Sequence, residues 1–278
     1  MLGTIASGIV EVFVNREKLF LHLPKSPFVG VILGALLGLI FPVCECGVVP
    51  LTRRLYNKGL PPAIGIAFLM AAPILNPIVI LSSYTAFGFG PVFWGRIGIS
   101  LIVAIITGLI FSKQPKSEIL VEQSEIPSCS IHSHASGEKT SLKEKLLQLA
   151  RIATEELFEM GKYLIIGSLL AALMQTLIPQ NTLLALGTGP LISILILTLL
   201  AFLLSICSTV DAFVALSFAA NFSTGSILAF LVYGPMVDIK SIFMFSSVFK
   251  KKTVVYLTLI PLFLVILITL FMNYRLGI

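Results

Sequence analysis

Charge is what this sequence has least of. Only 12% of its 278 residues are charged and 57% are hydrophobic, whereas an ordinary soluble domain carries about 25% charged residues. This deficit excludes a disordered chain, a nucleic-acid-binding domain and most soluble enzymes. A net charge of +6 on so few charges is typical of Lys and Arg collected in cytoplasmic loops. The composition predicts an all-α protein that crosses a membrane several times, with the lipid bilayer and not nucleic acid as its surroundings.

The chain also lacks the short motifs of several enzyme classes. It contains no G-x4-G-K-[ST] stretch, so it does not bind ATP through a phosphate-binding loop. It contains no G-x-S-x-G, no H-E-x-x-H and no convincing nucleophile–histidine arrangement either. We therefore expect a protein that is not an enzyme and that carries no cofactor.

Long apolar runs follow one another along the chain, and a helix needs roughly 20 such residues to cross a bilayer. The candidates are 62–84, 91–112, 158–179, 187–207, 225–247 and 254–273. A shorter run at 28–43 leads into Cys-Glu-Cys-Gly, and the pieces 47–59 and 208–222 are too short or too polar for ordinary spans. We expect about eight membrane segments, or about ten if the limbs of hairpins are counted separately.

A polar stretch at 113–154 divides the membrane part in two. It is rich in Ser, Glu and Lys, so we expect a cytoplasmic, disordered connector between a first membrane repeat, 1–112, and a second, 155–278.

Gly167 aligns with Gly3, which has only two residues before it, whereas the second-repeat helix has about ten before its glycine. The chain as given is therefore expected to begin part-way into its first helix, either because the start is misassigned or because the first span is shortened.

The two membrane parts share a spacing of unusual residues. Cys46 is followed 27 residues later by Pro73 and then, three further on, by Asn76. Cys207 is followed 28 residues later by Pro235 and then, three further on, by Asp238. This pattern predicts an internal repeat.

Charge placement predicts how the repeats are oriented. The loops 15–25 and 53–59 are basic and 85–90 is uncharged, whereas the corresponding loops 180–189 and 221–225 are uncharged and 249–252 is basic. Positive loops lie on the cytoplasmic side, so the repeats are predicted to have opposite orientations. Two hairpins, 28–58 and 187–222, then enter from opposite faces and bring their tips together near the middle of the membrane.

Three acidic residues lie deep in apolar surroundings: Glu45, Asp211 and Asp238. Ionisable groups inside a membrane are costly and mark solute or ion pathways by default. The structural alternative is that they cap broken helices or pair with Arg96 and Lys240.

Three cysteines lie at the predicted hairpin tips: Cys44, Cys46 and Cys207. Thiols are soft ligands that suit soft ions and metalloids. The alternative is that each cysteine is a small buried hydrophobic residue.

Prolines interrupt one span of each repeat, Pro73 and Pro77 in the first, and Gly234 with Pro235 in the second. Proline removes a backbone donor and breaks the helix, which frees carbonyl groups beside Asn76 and Asp238. The predicted solute site comprises Cys44, Glu45, Cys46, Asn76, Cys207, Ser208, Thr209, Asp211, Asp238 and Lys240.

The connector holds a C-x2-H-x-H cluster made of Cys129, His132 and His134. Such a cluster can bind a metal, but its Ser-rich flanks argue against a built site. These residues are only a secondary candidate, and no metal is expected.

Four segments carry a family resemblance: PVCECGVVPLTRRLYNKGLP (42–61), AAPILNP (71–77), CSTVDAF (207–213) and GPMVDIK (234–240). They resemble the hallmark segments of a bacterial predicted-permease family related to the organoarsenical efflux permeases (ArsP and YraQ-like proteins). The resemblance implies a multi-pass permease of the bacterial inner membrane. It also implies that Cys44, Cys46 and Cys207 serve as thiol ligands.

The function expected is a permease that moves a small solute by alternating access. The solute is thiophilic and organoarsenical-like, or anionic, and coupling to protons is expected through Asp211 or Asp238. One alternative is a membrane thiol or redox enzyme acting through Cys44 and Cys46. Another is a structural subunit of a larger permease complex; a small partner subunit or a second copy of the chain is the expected kind of protein partner.

Overall fold

The computed structural model of the chain describes residues 26–40, 43, 45–114, 116–120, 154, 158, 161–173, 176, 189–219 and 221–276. The helices are α1 Pro27–Ile40, α2 Glu45–Asn57, α3 Pro62–Leu75, α4 Pro77–Phe87, α5 Pro91–Ile110, α6 Lys116–Ile119, α7 Gly161–Leu173, α8 Pro190–Leu204, α9 Asp211–Phe218, α10 Thr224–Met236, α11 Ile239–Ser246 and α12 Lys251–Leu276. A short 3₁₀ turn, Phe111–Lys113, follows α5. In these residues β structure is limited to an isolated bridge between Leu120 and Phe249. The expectation of an all-helical protein is confirmed for this part of the chain.

Four helical segments among the described residues are long and apolar enough to cross a bilayer. They are Pro62–Phe87, Pro91–Lys113, Thr224–Ser246 and Lys251–Arg275. Three shorter apolar helices, Pro27–Leu39, Gly161–Leu173 and Leu191–Leu204, lie where further segments are expected. By length and composition, four segments of the described part can therefore cross a bilayer, and the larger number of eight or ten stays a prediction.

The first of these spans is interrupted at Asn76. Its backbone is extended (φ −61°, ψ 133°), because the ring of the following Pro77 disfavours helical geometry at the residue before it. Pro77 then occupies the first position of α4, where its missing N–H costs nothing. The Asn76 side chain accepts a hydrogen bond from the backbone N–H of Ile78 at 3.0 Å and so caps the new helix.

A matching interruption divides the third span at Val237 and Asp238. Both residues have extended backbone, and Asp238 is the N-cap of α11. Its carboxylate accepts from the backbone N–H of Ser241 at 2.6 Å, and the Ser241 hydroxyl accepts from the Asp238 N–H at 2.7 Å. This reciprocal capping box fixes the direction in which the chain resumes its helix.

Two central helices, α3 and α10, are buried along almost their whole length. In the first part of the chain α3 packs against α1, α2 and α5, and in the second part α10 packs against α8, α9 and α12. The two central helices also contact each other, and residues from both parts form one continuous apolar core. A helix that is apolar all round belongs in such an interior.

Glycine lets α1 approach α3 closely. A Cβ atom on Gly34 would lie 2.5 Å from the carbonyl oxygen of Ile64, and one on Gly38 would lie 2.8 Å from the Cα of Ala72. Small residues spaced four apart are typical of tightly packed membrane helices. The close packing of α1 on α3 therefore depends on Gly34 and Gly38.

We expect Gly34→Ala to lower the free energy of unfolding by about 1–3 kcal/mol, because the added methyl group meets backbone that cannot move aside. Unfolding of the purified protein in mixed micelles measures the loss. Gly98→Ala in α5 is the matched control, since a Cβ there has no neighbour within 4 Å. Equal effects of the two substitutions would show that the close approach of α1 is not required.

Candidate functional site

The polar residues of the fold collect where helices of the two parts begin and end. Helix α2 packs against α11, and α9 packs against α4, so α2 and α9 each contact the broken span of the other part. Between them lies the turn 205–210, which joins α8 to α9. We call this region the junction and define it by Glu45, Arg96, the turn 205–210, Asp211 and the Asp238–Ser241 cap.

A buried ion pair joins the two parts within the junction. Nη2 of Arg96 in α5 lies 2.6 Å from Oδ2 of Asp211, the first residue of α9, and both side chains are almost fully buried. Arg96 also donates to the Ser83 hydroxyl at 2.8 Å and to the carbonyl of Ser208 at 3.4 Å. Within the part of the chain that the structure describes, Oδ1 of Asp211 and Nε of Arg96 are buried with no hydrogen-bond partner.

Glu45 forms a second link between the parts. Its Oε1 accepts from the backbone N–H of Ser208 at 3.1 Å, although 163 positions separate the two residues. The side chain is only 7% exposed. Asp238, Lys240, Cys207 and Asp211 all lie within electrostatic range of this carboxylate. Polar groups of the second part thus surround this carboxylate of the first part.

Asp238 is the centre of a third set of contacts. Besides capping α11, its carboxylate accepts a short hydrogen bond from the Ser205 hydroxyl and lies 3.6 Å from Nζ of Lys240. Lys240 in turn donates to the carbonyl of Ser205 at 2.5 Å. Ser205 ends α8 in the left-handed conformation (φ 50°), which is unfavourable for a residue other than glycine and is held here by its two polar contacts.

Asn76 has a related position in the first part. Its amide donates to the carbonyl of Val43 at 3.3 Å, so it ties the first break to the segment that precedes α2. Gly167 contributes from α7, where a Cβ would lie 2.8 Å from the Cα of Lys240. The first break is therefore tied to the segment before α2, and the second is packed against α7.

Two of the predicted thiols lie beside these polar groups. Cys207 is exposed and immediately precedes Ser208, and Cys46 is half-buried and immediately follows Glu45. Both are thiols rather than disulfide partners. The hydroxyl of Thr209 donates to the Cys207 sulfur at 3.5 Å. Cys44 lies outside the described residues.

The structure brings most of the predicted site residues together. Glu45, Cys207, Ser208, Thr209, Asp211, Asp238 and Lys240 lie in the junction, Cys46 follows Glu45, and Asn76 caps the first break. Pro73 and Pro235 lie inside α3 and α10, one turn before each break, and Gly234 packs against Ala201 of α8. The alternative that the acidic residues cap helices or form ion pairs also describes real contacts. Asp238 caps α11, Asp211 pairs with Arg96, and Asp238 pairs with Lys240.

The predicted site residues did not include Ser83, Arg96 or Ser205, although each makes polar contacts at the junction. Arg96 carries a signal in the sequence, because it is the one charged residue within the apolar run 91–112. The two serines carry no such signal, since their roles depend on contacts with residues 13 and 33 positions away.

Metal ligands are not gathered in the part of the chain that the structure describes, where no three His, Cys, Asp or Glu side chains form a group able to hold an ion. The connector residues Cys129, His132 and His134 lie outside it.

The sequence model of a family described as a predicted permease matches residues 1–274. The chain belongs to this predicted-permease family. The resemblance seen in the sequence segments is thereby confirmed, and the protein is a membrane permease.

Relatives of the permease are bacterial. It is 46% identical to the UPF0718 protein YcgR of Bacillus subtilis over 256 residues, which cover 91% of this chain and 85% of the relative. It is 39% identical to a putative two-component membrane permease complex subunit of Streptococcus mutans, over 91% of this chain and 82% of the relative. The UPF0718 protein YraQ of Escherichia coli is 28% identical over 40% of this chain and 31% of its own. No solved structure matches the chain significantly.

Proposed function

We propose that the permease moves a small thiophilic solute through the junction by alternating access. The observation that carries the proposal is the composition of the junction, which takes its polar groups from both parts of the chain at the ends of broken helices. Broken helices at the interface of two repeats are where transporters bind solutes and coupling ions. The family points to transport rather than to catalysis.

The packing of the helices supports two repeats of opposite orientation. In a repeat, α1 to α5 of the first part correspond to α8 to α12 of the second. The contact of α2 with α11 then corresponds to the contact of α9 with α4, and both contacts are present. Likewise, the contact of α1 with α3 corresponds to that of α8 with α10, and the contact of α3 with α5 corresponds to that of α10 with α12. Together with the loop charges, this correspondence favours an inverted repeat in which one part moves against the other.

The charges of the junction favour a thiophilic solute over an anionic one. Its two cations, Arg96 and Lys240, are both engaged with carboxylates, so neither is offered to an incoming anion. The exposed thiol of Cys207 and the half-buried Cys46 remain as soft ligands. A trivalent organoarsenical is the solute class that fits these thiols, and efflux is the direction that the related arsenical permeases suggest.

A partner subunit is a further part of the proposal. The Streptococcus mutans relative is named as a subunit of a two-component membrane permease complex, and we extend that organisation to this permease. We propose that the complex lies in the bacterial inner membrane, with the connector 113–154 in the cytoplasm. A second membrane protein that co-purifies at a one-to-one ratio from the native host is the expected result, whereas isolation of the permease alone in mild detergent would argue against a complex.

Substitution of Cys207 tests the proposed solute. Expression of the permease in an arsenic-sensitive bacterial strain is expected to raise resistance to a trivalent methylarsenical and to lower its accumulation. Cys207→Ala is expected to abolish most of this effect, because it removes the exposed thiol of the junction without disturbing buried packing.

Cys129→Ala is the matched control, since it removes a thiol of the connector and is expected to leave resistance unchanged. Equal protein amounts in the membrane are verified by immunoblotting. Resistance that survives both Cys207→Ala and Cys46→Ala would reject the thiophilic solute, and redox-dependent labelling of these thiols without transport would favour the redox enzyme instead.

A further inference from the structure

The three carboxylates of the junction are not equivalent. Asp211 lies 2.6 Å from Arg96, and Asp238 lies 3.6 Å from Lys240 and also caps α11. Glu45, within the described part of the chain, receives one hydrogen bond, from the backbone N–H of Ser208. Among the described residues, no cation is in direct contact with Glu45, whereas the other two carboxylates each have one.

The surroundings of Glu45 do not offset a negative charge there. From α11 it faces Lys240 together with Asp238, and from the second part's turn it faces Cys207 and Asp211. Arg96 reaches the same turn through the Ser208 carbonyl but is paired with Asp211. The helix packed behind it, α3, has no titratable residue. In the described part of the chain, the junction holds three carboxylates and two cations, and the one excess negative charge is costly in a buried place.

We propose that Glu45 is the proton-binding residue of the permease, protonated in the conformation described and deprotonated during the transport cycle. This assignment rests on the proposed function and deepens it, because it names the coupling ion and the group that carries it. A bound proton removes the excess charge while the carbonyl oxygen of the acid still accepts from Ser208. Asp211 and Asp238, the residues favoured by sequence for this role, are instead each paired with a cation.

The geometry favours a proton over a metal cation such as Na⁺. A metal cation is held by several oxygen atoms, often backbone carbonyls freed at a helix break. At Glu45 the backbone contributes an N–H, whose positive end faces the carboxylate and would repel a bound cation. A proton needs a single oxygen and leaves this hydrogen bond in place.

Coupling follows from the place of Glu45 between the two parts. Its hydrogen bond to Ser208 connects the start of α2 to the turn before α9. Loss of the proton leaves a net negative charge in a buried contact, and this charge is stabilised when the contact opens to water. Release of the proton to water on one side of the membrane therefore favours separation of the two parts, and rebinding favours the closed contact.

Infrared difference spectroscopy of the purified permease in lipid vesicles tests the assignment without needing a solute. Spectra recorded at neutral and at alkaline pH are subtracted, since exposed carboxyl groups titrate at about pH 4 and are ionised at both. We expect the C=O stretching band of a buried carboxylic acid at neutral pH and its loss at alkaline pH. The band is expected to be lost in Glu45→Gln and kept in Asp211→Asn and Asp238→Asn.

Glu45→Asp provides the second variant, which keeps an acid and is expected to shift the band instead of removing it. Circular dichroism verifies that each variant keeps its helices. Absence of the band from the parent, its survival in Glu45→Gln, or its disappearance in either asparagine variant with Glu45 intact would overturn the assignment. Failure of arsenical resistance would instead reject the proposed solute and leave the infrared result unaffected, so the two proposals fail separately.

Discussion

Replacing Arg96 by leucine is expected to lower the free energy of unfolding by about 3–5 kcal/mol, because it leaves Asp211 buried without its counter-charge. The pair is closed at 2.6 Å and both side chains are almost fully buried, so water does not screen the remaining carboxylate. Leucine also removes the donor to the hydroxyl of Ser83. The fall in the midpoint of unfolding in mixed micelles measures the loss.

The double variant R96L/D211L separates the cost of a lone charge from the value of the pair. Removal of both charges is expected to recover most of the lost stability, because a buried ion pair is worth little more than well-packed apolar side chains. Arg275→Ala is the matched control, since this arginine is exposed in the last turn of α12 and its loss is expected to cost less than about 0.5 kcal/mol. A double variant no more stable than R96L would show that the pair itself holds the fold.

The same double variant is informative about transport. Arg96 belongs to the first part of the chain and Asp211 to the second, so the pair connects elements that would move apart in the proposed alternating-access mechanism. If the pair only stabilises the fold, a stable double variant retains arsenical resistance. If it also selects the conformation in which the two parts are joined, resistance is lost although the protein is folded, and we expect this second result.

Several features of the junction follow from the sequence because their causes are local. A helix break at Asn76 is dictated by the proline that follows it, and Asp238 is an N-cap because Ser241 lies three positions on. The depth of Glu45, Asp211 and Asp238 is likewise visible as acidic residues within apolar runs. Local chemistry and hydropathy are enough for these assignments.

The contacts between the two parts of the chain could not be predicted from local chemistry and hydropathy. The partners Arg96 and Asp211 are 115 positions apart, and Glu45 and Ser208 are 163 apart, so their contacts depend on how two sets of helices pack. The sequence offered Arg96 and Lys240 as partners for the aspartates but did not show that Glu45 has no ion-pair partner among the described residues. Ser205 was missed because its position requires a left-handed backbone, which a sequence normally signals by glycine, and here the residue is serine.

Substitutions of Asp238 show what a charged cap contributes at the second break. Asp238→Ala is expected to lower the free energy of unfolding by about 3 kcal/mol, since the loss of a helix cap costs about 1 kcal/mol and the orphaned buried partners add more. The Ser205 hydroxyl loses its acceptor, and the partly buried Lys240 loses its carboxylate. Unfolding in mixed micelles, with α11 followed by hydrogen exchange, measures both effects.

Asp238→Asn divides this loss into its two parts. Asparagine caps a helix about as well as aspartate does, so the variant keeps the cap of α11 and loses only the charge; we expect a cost of about 1–2 kcal/mol from the unpaired lysine. Asn76→Ala is the matched control, because Asn76 caps α4 with a neutral side chain and its loss is expected to cost about 1 kcal/mol. If Asp238→Ala costs no more than Asn76→Ala, the carboxylate serves as a cap alone. If Asp238→Ala costs more than Asn76→Ala, as expected, the second break is stabilised by a charge that the first break lacks. Lys240→Met in the Asp238→Asn background is then expected to restore most of the stability that Asp238→Asn loses.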